Sequence, residues 1–384
     1  MIKKSAPIIL LIVLLATNLY KPPARADAVS NARMARLAHG INLPFWFWYG
    51  PVGTEGIRSR FAPAEFTRLR QMGFTDVRIP ITMPFFYDPA RPGVPSHDMV
   101  NLLQEGIDQL IAADLAVIVD LHTVNIDEGA AVFSGDLETS DAFVTNFLAF
   151  WSGLAATLSS RYSPEMLFFE IFNEPVFYDN QSRWNSNILP RAIAAVRAAA
   201  PNNTIIASGA RWASMDSLML VTPVADTNVI YNFHFYEPMT FTHQGATWVG
   251  DPVIESLYNV PYPSTPNNIY TPQYYTFSAA AQAALRTYGS EQWNIQRIDA
   301  RIAQVVAWAN AHNVRLIATE FGAYAPYAPR ASRIQWISDT RRTFEKYGIA
   351  WTMWEYDSDF GFATRNGSQI TYDSDVITAL GLQP

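Results

Sequence analysis

Two glutamates in this chain each follow an apolar run. Leu167-Phe168-Phe169-Glu170-Ile171-Phe172 leads into Asn173-Glu174-Pro175, and Val314-Arg315-Leu316-Ile317-Ala318 leads into Thr319-Glu320-Phe321-Gly322. The aromatic and β-branched residues suit buried strands. Pro175 cannot extend a central strand, so pairing is predicted to stop near Asn173. A carboxylate at a strand mouth is costly unless it has a partner or a task. Two of them, far apart in sequence, suit acid/base or nucleophilic chemistry on an uncharged substrate.

The elements that must position them alternate along the chain. Strands are predicted at His39–Leu43, Asp76–Pro80, Ala116–Leu121, Leu167–Phe172, Thr204–Ala207, Val229–Phe233, Val314–Thr319 and Ile349–Trp354. Between them, Pro63–Met72, Met99–Ala113, Asp141–Ser159, Leu189–Ala199, Ala279–Leu285, Ile298–Ala311 and Arg333–Lys346 carry apolar residues at helical spacing. Eight strands alternating with helices predict parallel pairing and an α/β fold, a closed (β/α)8 TIM barrel in one domain over 27–384. A doubly wound open sheet is the alternative, and no Gly-rich first turn supports it. The stretch Pro238–Trp293, between strands six and seven, is rich in aromatics and prolines and reads as a long functional insertion without clear structure.

Placed at one rim, the strand ends offer Asn42, Arg78, His122, Asn173 with Glu174, His234 with Tyr236, Glu320 and Trp354. From Arg78 onward, that ordered set resembles glycoside hydrolase family 5, the cellulase family of barrels with catalytic glutamates ending strands four and seven. The likeness runs from about His39 to Tyr356. The resemblance implies Glu174 as general acid/base and Glu320 as nucleophile. It implies Asn173 as a hydrogen-bond partner of the sugar 2-hydroxyl, Trp354 as the floor beneath the sugar that becomes covalently held, and His122 and His234 as orienting groups. Arg78 and the Tyr236 hydroxyl are suited to hold Glu320 charged and aimed. Many members carry a second histidine after the strand-three histidine, where this chain has Thr123.

Other residues admit two readings. Glu170 shares strand parity with Glu174 but lies about 13 Å lower, where a buried structural pair is expected. Arg78 also suits a structural ion pair, and the two histidines suit satisfied rim positions. Asn42 suits either strand-end capping or a substrate contact. Trp248 and His243 are candidate subsite residues. The cluster Phe45-Trp46-Phe47-Trp48-Tyr49 is either a sugar platform or packing under the rim. Asp357 and Asp359 are either sugar contacts or solvated acids.

Bulk properties narrow the partners. Lys3 and Lys4, the apolar run Ile8–Ala16 and the small-x-small site Ala24-Arg25-Ala26 read as a signal peptide over 1–26, cut after Ala26. Its removal deletes Lys3, Lys4, Lys21 and Arg25 but no acid, taking the net charge from −7 to about −11. That disfavours nucleic acid and anionic membranes, and no second segment reads as membrane-spanning. Cysteine is absent, and the six histidines show no HExxH pairing, so neither a disulfide framework nor a metal is expected, and no cofactor.

The expectation is therefore a secreted or periplasmic, monomeric, retaining endo-acting β-glycosidase on a polysaccharide, foremost an endo-β-1,4-glucanase. A β-mannanase, a β-1,3-glucanase and an exopolysaccharide-trimming glycanase are the alternatives within the family. An inactive carbohydrate-binding barrel is the non-enzyme alternative.

Overall fold

The computed structural model describes residues 28–49, 53–88, 90–122, 136–367 and 369–384. The leader expected at 1–26 and the departure at Thr123 lie outside them. Eight parallel strands close into a barrel in chain order: β1 His39–Asn42, β2 Asp76–Thr82, β3 Ala116–His122, β4 Leu167–Glu170, β5 Ile205–Ser208, β6 Val229–Phe235, β7 Arg315–Phe321 and β8 Ala350–Met353. β8 pairs back onto β1, with His39 opposite Trp351. A two-stranded antiparallel hairpin, β9 Ala363–Asn366 and β10 Gln369–Tyr372, follows the barrel.

Strand alternation sorts the side chains into two cores. Outward residues such as Val117, Val119, Phe169 and Phe233 pack under the surrounding helices. Inward residues Ala116, Ile118, Phe168, Ile206, Ile230 and Ile317 fill the barrel's lower end. Val29 and Leu37 join that layer, so the segment around the helix Asn31–Arg36 plugs the bottom. Arg33 fastens the plug through Glu165 at 2.9 Å, with Thr204 and Asn228 each at 3.2 Å. Above the apolar layer the inward positions turn polar: Asn42, Arg78, Asp120, Glu170, Asn232 and Thr319, all buried. Higher still stand His122, Glu174, His234 and Glu320.

Two departures from the sequence reading shape the site. The regular ladder of β4 stops at Glu170, not Phe172. Single bonds nevertheless continue it, from Ile171 N–H to the Ile206 carbonyl at 3.0 Å and from Asn173 N–H to the Leu121 carbonyl at 2.9 Å. The second departure is a bulge between β6 and β7. Phe233 pairs with Ala318 but His234 pairs with Glu320, leaving Thr319 as an extra residue. A bulge sends consecutive side chains to one face, and here both Thr319 and Glu320 enter the barrel.

The insertion 238–293 is more ordered than expected, with three elements ahead of the helix read from the sequence at Ala279–Leu285. It holds helices Met239–Thr242, Pro252–Ser256 and Ala279–Glu291 and a 3-10 turn at Pro272–Thr276. Side chains satisfy its irregular backbone: the Gln244 amide accepts from Val260 N–H at 2.7 Å and donates to the Phe241 carbonyl at 2.8 Å. Helix Asp141–Ser159 is long and apolar enough to cross a membrane by composition alone. In the fold it is a barrel helix, with Phe147, Phe150, Trp151 and Leu154 buried and the Trp151 indole donating to the Ile171 carbonyl at 3.0 Å.

Candidate active site

Arg78 organises the polar layer. Its guanidinium is wholly buried and each of its five N–H groups has an acceptor. Nε and Nη2 take Glu170 in a fork at 2.8 and 3.0 Å. Nη1 reaches Asn42 and Glu320, both at 2.8 Å, and Nη2 reaches Asn173 at 2.7 Å. Asp120 lies 3.0 Å from Nη2. One cation thus faces three buried carboxyl groups, which keeps it charged despite its burial.

Glu320 receives two donors, one on each oxygen: Arg78 on Oε1 and the Tyr236 hydroxyl on Oε2 at 2.9 Å. Tyr236 remains a phenol, because burial and the neighbouring Glu320 and Glu174 carboxylates push its ionisation well up. Glu174 differs in kind. Its side chain is 23% exposed and touches no guanidinium among the described residues. Burial raises its carboxyl to about 7, opposed only by the more distant Arg78 charge. His234 Nδ1 lies 2.7 Å from Glu174 and 3.5 Å from Glu320, and its Nε2 lies 3.2 Å from the Thr319 hydroxyl. Burial pushes His234 toward its neutral form.

A Glu174 oxygen, a Glu320 oxygen and a His234 ring nitrogen all lie within 4.8 Å of one another. Among the described residues these three alone bring donor atoms close enough to share a cation. The guanidinium 2.8 Å from Glu320 competes with any cation there, so an acid–base role fits the donor set better.

The remaining predicted residues divide by depth. Asn173 is buried, its oxygen held by Arg78. His122 bonds Asp120 through Nδ1 and stacks on Trp354, with centroids 5.7 Å apart and planes 13° apart. Burial lowers the His122 pKa and raises Asp120 to about 7. Trp354 and Trp48 are half-buried, and Trp48 also meets His122 at 4.4 Å. The early aromatic cluster is thus split: Trp46 and Phe47 pack in the core, while Trp48 reaches the rim. Asn42 is a clamp and not a substrate contact. It is fully buried, accepts from Arg78 and donates to the Thr319 and Met353 carbonyls at 2.9 and 3.1 Å. Its strand parity points it inward at the level of Arg78, below the cleft. Trp248 stands on the rim, 58% exposed and edge-on to Tyr324 at 4.8 Å. His243 is buried against Tyr236, with centroids 5.0 Å apart. Asp357 is neither solvated nor free for sugar, since Arg60 holds it in a fork at 2.8 and 2.9 Å and Arg365 adds a third bond.

Sequence reasoning assigned no role to Asp120, Thr319 or Glu355. Asp120 was marked by lying two residues before His122 on one strand face. Glu355 is buried beside Trp354. Ser358 donates to its Oε1, and its Oε2 has no partner among the described residues. Burial and the nearby Asp357, Glu320 and Asp359 push its carboxyl well up.

A closed parallel barrel whose rim holds a glutamate with a raised pKa beside a second glutamate fixed by cationic and phenolic donors is the apparatus of a glycoside hydrolase. The cellulase (glycosyl hydrolase family 5) profile matches residues 40–360, and the chain belongs to that family. Endoglucanase 3 of Fibrobacter succinogenes is 25% identical over 370 residues, which is 90% of this chain and 53% of that protein. The chain thus spans about half the length of that relative. Endoglucanase C of Acetivibrio thermocellus is 24% identical over 329 residues, covering 84% of this chain and 92% of that protein. Among solved structures, a hyperthermophilic endo-β-1,4-glucanase in complex with substrate is 25% identical with a TM-score of 0.72, over 91% of this chain and 99% of that one.

Proposed function

We propose that this chain is a retaining endo-β-1,4-glucanase acting on a β-glucan. The observation that carries the reading is the carboxyl pair, one oxygen of Glu174 lying within 4.8 Å of one oxygen of Glu320. Retaining enzymes hold their carboxyl groups about 5–5.5 Å apart, whereas inverting enzymes leave about 6.5–9.5 Å for a water. The names of the relatives support glucan as substrate.

The chemistry follows from the placement. Glu320 attacks the anomeric carbon as the Glu174 proton passes to the glycosidic oxygen. That bond breaks, the leaving sugar departs with the proton, and a glycosyl ester remains on Glu320. Glu174, now a carboxylate, takes a proton from water. The water oxygen bonds to the anomeric carbon, and Glu320 leaves as a carboxylate. His234, neutral and 2.7 Å from Glu174, aims the acid in both steps. Arg78 and Tyr236 receive Glu320 when it regains its charge.

The test is product analysis on β-glucans, mannans and xylans, with the first-formed anomer read by NMR. Cleavage of internal β-1,4-glucosidic bonds with β products supports the reading. First-formed α products, or binding with no hydrolysis, overturn it. Mannan is a second reading, because a structurally similar chain, Thermotoga maritima Cel5A, has been solved in complex with mannotriose (25% identity, TM-score 0.70, 91% of this chain). Export is part of the proposal and rests on the basic start, the apolar run and the Ala24-Arg25-Ala26 site. N-terminal sequencing of protein from the cell exterior or periplasm is expected to begin at Asp27. A monomer in solution is likewise proposed, and light scattering tests it.

A further inference from the structure

From Ser256 to Leu285 the chain carries no Asp, Glu, Lys, Arg or His, although its net charge is −7. Amides, hydroxyls, prolines and aromatic rings take their place in this part of the insertion after β6. A stretch without ionisable groups offers nothing to a charged partner. It suits a neutral ligand that presents hydroxyls and flat apolar faces.

Two of its tyrosines stand outward. Tyr270 and Tyr275 are 46% and 72% exposed. Both meet the buried Tyr274 edge to face, with ring centroids 4.8 and 5.3 Å from it. Arg286, the first charged residue after the stretch, donates from Nη1 to the Tyr274 hydroxyl at 2.7 Å. Side chains also fix the turn that leads to Tyr270. Thr265 N–H donates to Asn268 Oδ1 at 2.8 Å, and Asn268 N–H donates to the Thr265 hydroxyl at 3.1 Å. The Asn268 amide donates to the Pro263 carbonyl at 2.8 Å. The exposed rings therefore need little ordering when a ligand arrives.

The face lies outside the catalytic cleft. The Tyr262 hydroxyl donates to Asp339, and Tyr262 N–H donates to the Ser332 hydroxyl, both at 3.0 Å. Asp339 and Ser332 belong to the helix Arg330–Lys346, which packs on the outer wall between β7 and β8. The face is nevertheless joined to the rim. Asn259 N–H donates to the Tyr327 carbonyl at 2.9 Å, and the exposed Tyr327 ring lies 6.0 Å from Tyr324, the neighbour of Trp248. A polymer that leaves the cleft on this side can reach both tyrosines, whereas a short oligosaccharide in the cleft does not. No Leu, Ile, Val or Met of the stretch is exposed, which disfavours a second protein, since the core of a protein interface is mostly apolar.

Resting on the glucanase reading above, we infer that Tyr270 and Tyr275 form a second glycan-binding site, on the outer flank, that holds the β-glucan polymer while the cleft cuts it. Each ring supplies a flat apolar face with a hydroxyl at its edge. A weak site linked rigidly to the cleft raises the effective concentration of a long chain there.

Affinity electrophoresis in gels containing soluble β-glucan, mannan or xylan tests the site. The protein carries Glu320→Ala so that the polymer survives the run. Adding Tyr270→Ala and Tyr275→Ala together is expected to raise the apparent Kd for β-glucan about tenfold, the loss of two ring contacts. The paired Phe substitutions keep the rings and are expected to retain most of the affinity. With Glu320 intact, the double Ala variant is expected to keep its kcat/KM on cellotetraose within about twofold. Unchanged retention of the double Ala variant overturns the site, as does retention of the parent by none of the polymers. A parent dimer in light scattering that the double variant splits also overturns it, by making the face a protein contact. Retention by mannan or xylan alone defeats the glucan reading, and the same variants in that gel then decide the tyrosines independently.

Discussion

Arg78 donates to Glu320 at 2.8 Å from a guanidinium that also holds Glu170, Asn42 and Asn173. The group that aims Glu320, the proposed nucleophile, is therefore the same group that holds the barrel's polar layer together. Lysine presents a single ammonium in place of a planar fork. Arg78→Lys is expected to lower kcat/KM by at least about a hundredfold and to cost about 3–5 kcal/mol of stability, the range for breaking one partner of a buried pair. Kinetics together with urea unfolding check both. A variant of unchanged stability contradicts the double role.

With Glu174 as the proposed acid, its proton is expected to set the alkaline limit of activity. Its carboxyl is raised to about 7 by burial, and the acid must be protonated to serve the leaving group. Activity is thus present below that value and lost as pH rises through it. Glu174→Gln is expected to lower kcat on cello-oligosaccharides by about 10²–10⁴-fold and to abolish the alkaline limb near pH 7. A pH–rate profile measures both, and a limb that persists in the variant assigns the titration to another group.

Tyr236 contributes one hydrogen bond to Glu320 at 2.9 Å. Tyr236→Phe keeps the ring against His243 and Phe360 and removes only that donor. Steady-state kinetics are expected to show kcat lowered about 10²-fold, as when a single preorganised donor is deleted. The melting temperature is expected to shift by only a few degrees. A fall in stability without loss of kcat would make the phenol structural.

Glu355 is a buried carboxyl with no cation among its partners, and its pKa lies well above the ordinary value. A raised folded pKa means the folded state holds the proton more tightly than the unfolded chain. The cost is absent below the unfolded value and grows as pH rises above it. Glu355→Gln, which imitates the protonated acid, is expected to raise the melting temperature more at pH 8 than at pH 4. Scanning calorimetry at the two pH values tests this, and an equal or reversed shift contradicts it.

The two glutamates, the barrel and the partners of Glu320 were legible because each is a local event, an apolar run closed by a polar residue at a strand mouth. Glu170 was legible as a structural residue because strand parity and a four-residue offset place it below the cleft. What escaped depends on pairs of distant segments. The bulge that turns both Thr319 and Glu320 inward belongs to the register of β6 against β7. Asn42 looked available for substrate because nothing in its own strand says that Arg78 and two backbone carbonyls will surround it. Asp357 read as a free acid because Arg60 and Arg365 are far from it or carry no local mark. The insertion 238–293 read as unstructured ahead of its helix at Ala279–Leu285 because side chains such as Gln244, not a periodic pattern, satisfy that backbone.

The central claim is that Glu320 forms the covalent intermediate while Glu174 carries the proton. Incubation with 2,4-dinitrophenyl 2-deoxy-2-fluoro-β-cellobioside, followed by proteolysis and peptide mass spectrometry, tests it most directly. The account predicts one fluorocellobiosyl group per chain, attached to Glu320 and released on adding an acceptor sugar. A label on Glu174 or any other residue, or turnover of this substrate with inversion and no label, would contradict it.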